Sequence, residues 1–361
     1  MFLLNSTYDY PYYISKDRIF FDYLEALKNC DSKKEVNDIK MYAWDNELSR
    51  IKWWEEPPLS LAYYFKERAQ QLRDKYSYIR LFVSGGYDSY YALRSFIDND
   101  IFLDEIVHSR SDFSQTNDYW ADIEYYEQFL KIIETHKQSL EKTKITVLEP
   151  EYRKIFMEEK NIYEYSDHPS CLTNSPKFIF NSTNLSFNEE INIWSQPKAE
   201  ISIIDGKLYF NFKSFEFMAP TENIECFYIS KDNFNLYLKQ IHLIKNYVKL
   251  NNITTIDRLN MVPLATGNPY FNDHQSKNYA NITMSTNAKF RLFPLLRGKN
   301  YFRIQALRKH NETNKIYSIW KDYLKSVYQN TYHLNLSRAH IQGTTSQSYS
   351  LDSNKKFYIF D

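Results

Sequence analysis

The spacing of apolar and polar residues changes several times along this chain, and each change predicts an element. Leu59 to Lys75 is rich in good helix formers, with Ser60 in place as an N-cap and Pro57-Pro58 ending whatever precedes it. Ile79-Arg80-Leu81-Phe82-Val83 is a short β-rich run. Helical spacing resumes from Ser89 to Ile97, with Tyr90, Leu93 and Ile97 on one face. Glu105–His108 predicts a second strand. A long helix is expected from a cap at Asn117, because Ile123, Tyr126, Leu130 and Ile133 recur three or four apart. Lys144–Leu148 predicts a third strand. Strands alternating with helices call for an α/β fold, a doubly wound parallel sheet with right-handed crossovers.

The flanks are less regular. Residues 1–58 are aromatic and charged and read as an N-terminal extension, with one helix expected across Ile19–Lys28. Ala199–Ile204 and Lys207–Phe212 flank Asp205-Gly206, the strongest hairpin signal in the chain. Cys226–Ile229 predicts another strand and Asn233–Lys249 a helix. The pattern weakens beyond Asn251, although Ile316–Tyr328 reads as a helix. The organisation expected is therefore an extension (1–58), a main domain (59–250) and a C-terminal α+β extension (251–361).

Composition narrows the function classes. The 361 residues are 43% apolar, enough for a real core. Lysine plus arginine balance aspartate plus glutamate, 45 against 45, so global charge gives no argument for a polyanionic partner. Cys30, Cys171 and Cys226 form no CxxC pair, which argues against a disulfide scaffold or a four-cysteine zinc site. No apolar run approaches a membrane span, and the apolar Met1–Leu4 is broken at once by Asn5-Ser6-Thr7. The expected setting is cytoplasmic, with no membrane.

Only six glycines occur, and two adjacent ones lie between a predicted strand and a predicted helix, in Ser84-Gly85-Gly86-Tyr87-Asp88-Ser89. Glycine there permits positive φ and a close backbone approach, and the helix N-terminus adds orphan N–H donors. Together they form an anion cradle suited to polyphosphate. Ser84 and Ser89 supply hydroxyls. Asp88 would repel bare phosphate, which suggests a role with Mg²⁺ or as a helix cap. Neither a Walker A loop nor GxGxxG is present. The bland alternative is an ordinary strand–turn–helix connection.

Phe82-Val83-Ser84-Gly85-Gly86-Tyr87-Asp88-Ser89 resembles the SGGxDS signature of N-type ATP pyrophosphatases, the PP-loop superfamily with a Rossmann-like (HUP) sheet. Trp53 to Leu148 is similar to it in layout, while residue identity is confined to the loop. Glu56-Pro57-Pro58, a helix and then SGGYDS most resemble asparagine synthetase-like proteins, including phage forms; the host cytoplasm would then be the setting. The resemblance implies that ATP is cleaved between its α and β phosphates, with Mg²⁺ bridging. An acceptor is adenylated, and a nucleophile then displaces AMP, giving an amidation or ligation.

The resemblance also implies site residues. Ser84, Gly85, Gly86, Tyr87, Asp88 and Ser89 would bind ATP, Asp88 would hold the metal, and Asp88 and Ser89 would serve catalysis. His108, Ser109 and Arg110 end the second strand beside the loop, where the backbone would meet adenine and Arg110 could reach phosphate; the alternative for Arg110 is a surface pair with Asp112. Lys198 would contact pyrophosphate. The sequence departs from the family in places. Phe2 stands where glutamine-dependent asparagine enzymes carry cysteine, so no glutaminase domain is expected, and zinc cysteines are missing. A thiolation role would need Cys171 and Cys226 to meet. Asp167-His168-Pro169-Ser170-Cys171 is a polar loop that could line a pocket.

Residues 277–309 contain no acidic side chain but carry Lys277, Lys289, Arg291, Arg297, Lys299, Arg303, Arg308 and Lys309, interleaved with aromatics. This pattern suits RNA as well as a solvated face. Nucleobase or tRNA modification, and a non-catalytic nucleotide-binding or structural protein, therefore stand as alternatives.

Overall fold

The computed structural model describes residues 12–20, 23–42, 45–85, 87–110, 125–148, 191–195, 200–204, 207–211, 224–230, 232–250, 346–350 and 356–359. The expectations on Lys198, on 167–171, on 277–309 and on Ile316–Tyr328 lie outside these residues.

The N-terminal region forms a three-stranded antiparallel sheet. Strands β1 (Tyr12–Ser15), β2 (Arg18–Phe20) and β3 (Lys40–Tyr42) lie in the order β2-β1-β3, with short helices α1 (Tyr23–Lys28), α2 (Lys33–Asn37) and α3 (Asp45–Arg50). The helix expected across Ile19–Lys28 is corrected: Ile19 and Phe20 belong to β2, and the helix begins at Tyr23. Ser15 pairs with Arg18, leaving Lys16 (φ 48°) and Asp17 (φ 61°) as a two-residue turn. Both central residues thus take the positive φ of a primed hairpin turn without using glycine.

Helix α4 (Leu61–Lys75) is capped as its sequence predicts, with the Ser60 hydroxyl accepting from the Tyr63 N–H at 3.1 Å. It buries Leu61, Tyr64, Phe65, Arg68, Ala69 and Leu72, one stripe at helical spacing. Strand β4 (Ile79–Phe82) and helix α5 (Tyr87–Ile97) follow, then β5 (Glu105–Ser109), α6 (Leu130–Thr135) and β6 (Lys144–Leu148). The described part of the long helix expected from Asn117 starts at Tyr125 and opens with a π-helical turn, Tyr125–Phe129. Phe129 and Ile132 are buried, while Tyr126 and Leu130 are exposed.

Strands β7 (Ile191–Trp194) and β10 (Ile224–Cys226) complete a five-stranded sheet, all parallel, in the order β10-β7-β4-β5-β6. The chain steps outward from β4 through β5 to β6, then continues on the other side with β7 and β10. Strand order therefore reverses between β4 and β7. Every residue of β4 is buried, as expected at the centre of a parallel sheet. Its Arg80 is satisfied by Glu105 at 2.8 Å and by Asn192 at 3.2 Å.

Phe227, just past β10, stacks on Phe65 of α4 and packs on Phe96 of α5, with ring centroids 6.1 Å apart in each pair. Helix α7 (Asn235–Leu250) packs on α4. The hairpin expected around Asp205-Gly206 forms from β8 (Glu200–Ile204) and β9 (Lys207–Asn211), Ile204 opposite Lys207. With β11 (Ser346–Ser350) and β12 (Lys356–Ile359) it makes an antiparallel sheet ordered β12-β11-β9-β8. Among the described residues no helix is long and apolar enough to cross a membrane.

Candidate functional site

Carboxyl ends of parallel strands collect backbone groups that the ladder no longer pairs, and a reversal of strand order opens a crevice there. The Ser84–Ser89 segment leaves β4 at this edge and enters α5. Gly85 has φ 81°, a conformation that costs most residues with a Cβ, so the backbone favours glycine here. The Ser84 and Ser89 hydroxyls are 3.2 Å apart, Ser84 exposed and Ser89 buried in the first turn of α5. Tyr87 and Asp88 also lie in that turn.

Two neighbouring strands add groups at the same edge. Phe82 pairs with Val107, and Arg110 follows the end of β5 at the same edge of the sheet. The Arg110 guanidinium lies 4.8 Å from the Tyr125 ring centre and 5.9 Å from that of Tyr126, and its backbone N–H donates to the Leu148 carbonyl. Leu81 pairs with Ile193 on the other side, which sets Ser195 beside Val83. Ser195 is 6% exposed, and its hydroxyl has no hydrogen-bond partner among the described residues. A buried hydroxyl without a partner is costly in a folded protein and calls for a ligand or ordered water. Sequence reading passed over Ser195, because β7 itself carried no recognised strand signal.

His108 behaves differently from its neighbours. Its side chain is 3% exposed, and Nδ1 lies 2.8 Å from the Val83 carbonyl oxygen. A carbonyl only accepts, so Nδ1 carries the proton. The imidazole stacks on Phe129 with centroids 4.3 Å apart and lies 5.5 Å from Tyr125. Ser109, which ends β5, and Arg110 continue beyond this buried ring.

An aromatic floor closes one face of the edge. Trp194 stacks on Phe82 at 4.0 Å, over a cluster with Val107, Leu148 and Ile224. By alternation Val83, Ser195 and Phe227 occupy the opposite face.

A thiolation role needs Cys171 to meet Cys226, and Cys171 lies outside the described residues. Cys226 is buried, and burial pushes its thiol up from the ordinary 9.0. Among the described residues no three His, Cys, Asp or Glu side chains gather to hold a metal. No family model matches the chain, and no curated protein or solved structure matches it either.

Proposed function

We propose that the chain is an ATP pyrophosphatase of the PP-loop kind, on a doubly wound Rossmann-like sheet, and that it adenylates an acceptor in an asparagine synthetase-like amidation or ligation. One observation carries the reading. The SGGYDS loop leaves the central strand at the reversal of strand order, with Gly85 at positive φ and helix α5 directly behind it. The orphaned Ser195 hydroxyl and Arg110, which follows β5 at the same edge of the sheet, support it.

The chemistry follows from charge. An acceptor oxygen attacks the α-phosphorus, the bond from that phosphorus to the α–β bridging oxygen breaks, and pyrophosphate leaves with the electron pair. Negative charge grows on the leaving group. The loop N–H groups and the α5 N-terminus stabilise it there without reorganising, and Arg110 adds a fixed positive charge. Asp88 would hold Mg²⁺, which would supply further neutralisation of the phosphates. Ser84, Ser89 and Ser195 orient phosphate or ribose oxygens. A nucleophile then displaces AMP from the acceptor.

The test is titration of Mg-ATP into the protein, followed by a pyrophosphate release assay with carboxylate and nucleobase acceptors. Binding, release of AMP and pyrophosphate, and loss of release in Asp88→Ala are expected. ATP binding without turnover on any acceptor would favour a non-catalytic nucleotide-binding protein instead.

A further inference from the structure

We infer that His108 is the positioning residue of the Ser84–Ser89 loop, acting through the hydrogen bond from its Nδ1 to the Val83 carbonyl. The functional half of this inference rests on the ATP-binding reading above; the structural half does not.

Val83 is the last residue before the loop. Its N–H donates to the Val107 carbonyl at 2.8 Å, and its carbonyl accepts from His108 at 2.8 Å. Both backbone groups of this peptide neighbour are thus tied to consecutive residues of β5. The φ of Gly85 two residues later, and with it the direction of the loop N–H groups, starts from a fixed point. A buried imidazole is a good brace only if its ring cannot turn. Here Phe129 stacks on it within 24° of parallel, and Tyr125 flanks it at 34°.

The π-helical turn matters for the same reason. Its two ends, Tyr125 and Phe129, both lie against His108, with their own rings 20° from parallel. Tyr125 also lies against Arg110. One aromatic side chain therefore contacts both the brace of the loop and the cation beside it. The imidazole itself is too buried to touch a ligand in the crevice, so its influence on binding passes through Val83.

Three substitutions separate positioning from mere packing. His108→Asn puts an amide N–H near the place of Nδ1. His108→Gln moves the donor outward, and His108→Leu fills the slot without any donor. Hydrogen exchange of the loop amides, measured by mass spectrometry on the full chain without nucleotide, reads the brace directly. His108→Leu and His108→Gln should speed exchange across 83–89 about tenfold relative to the rest of the sheet, and His108→Asn should restore it. Mg-ATP affinity should fall about tenfold in the first two, the loss expected for about 1.4 kcal/mol, and recover in the third.

Unchanged loop exchange in His108→Leu and His108→Gln would overturn the inference, as would a uniform rise over all five strands or failure of Asn to rescue. If wild-type protein binds no ATP while loop exchange responds as expected, the ATP reading fails and the brace stands. If wild-type binds ATP and loop exchange is indifferent to His108, the brace fails and the reading stands.

Discussion

Arg68 of α4 and Glu225 of β10 form a buried ion pair at 2.7 Å, and the same guanidinium donates to the carbonyls of Cys226 and Phe227. This joins the helix that precedes the central strand to an edge strand more than 150 residues later. Burial alone would raise the Glu225 carboxyl, but Arg68, Tyr76 and Lys75 hold it below its ordinary 4.5.

Removing one partner leaves the other charge buried. Arg68→Met is expected to cost about 3–5 kcal/mol by denaturant unfolding, and Arg68→Met with Glu225→Leu markedly less. The depressed carboxyl fixes the sign of the pH effect. Its contribution is present above the unfolded value near pH 4.5 and is lost as pH falls through the lower folded value. Acid unfolding curves of Glu225→Gln should be flatter than wild type over that range.

Two histidines act in a different window. Burial, then Arg94, depress His136, whose Nε2 is 3.1 Å from the Tyr90 hydroxyl. Arg94 also donates to that hydroxyl. Burial likewise depresses His242, whose Nε2 donates to the Trp53 carbonyl at 2.9 Å. Between the folded value and the ordinary 6.5 the unfolded chain binds more protons, so stability falls as pH drops below about 6.5. Melting temperatures followed from pH 7.5 to 5 should decline, and less steeply in a protein carrying His136→Gln and His242→Gln.

Gly85→Ala places a Cβ at positive φ. About 1–2 kcal/mol of destabilisation is expected, together with a loss of Mg-ATP affinity larger than that cost explains, because the loop must redirect its N–H groups. Gly85→Asn, which tolerates positive φ better, should lose less stability.

Ser195 offers the opposite signature. Its hydroxyl has no partner, so Ser195→Ala should leave the unliganded protein as stable or up to about 1 kcal/mol more stable. The rise in melting temperature on adding Mg-ATP should shrink in the same variant. A group that costs stability without ligand and returns it with ligand belongs to a binding site.

Helix α4, strand β4 and the entry to α5 were legible because cap, apolar run and glycine pair follow one another without interruption. Strands β5 and β6 were legible as β-rich runs, and the parallel arrangement of these three strands followed from the helical segments between them. The reversal that makes the crevice was not. It depends on β7, whose Ile191-Asn192-Ile193-Trp194 is short, follows an asparagine-rich stretch and puts a polar residue in the core. That residue is explained by its tertiary pairing with Arg80, which the sequence does not show. The β1–β2 hairpin was missed because its turn uses Lys16-Asp17 instead of a glycine pair. The buried face of Phe129 and Ile132 was missed because two neighbouring stripes share three-or-four spacing. The one through Tyr126 and Leu130 carries the more apolar residues in sequence, while the one through Phe129 and Ile132 packs. His108 was read as a ligand neighbour, and only its contact with Val83 gives it a role as a brace.

The bond that is broken in ATP tests the central claim most directly. Protein incubated with Mg²⁺, ATP labelled at the α-phosphate and a panel of carboxylate and nucleobase acceptors should bind the nucleotide and yield labelled AMP, free or on the acceptor, with unlabelled pyrophosphate. Labelled ADP, or no binding of Mg-ATP by the wild-type chain, would contradict it.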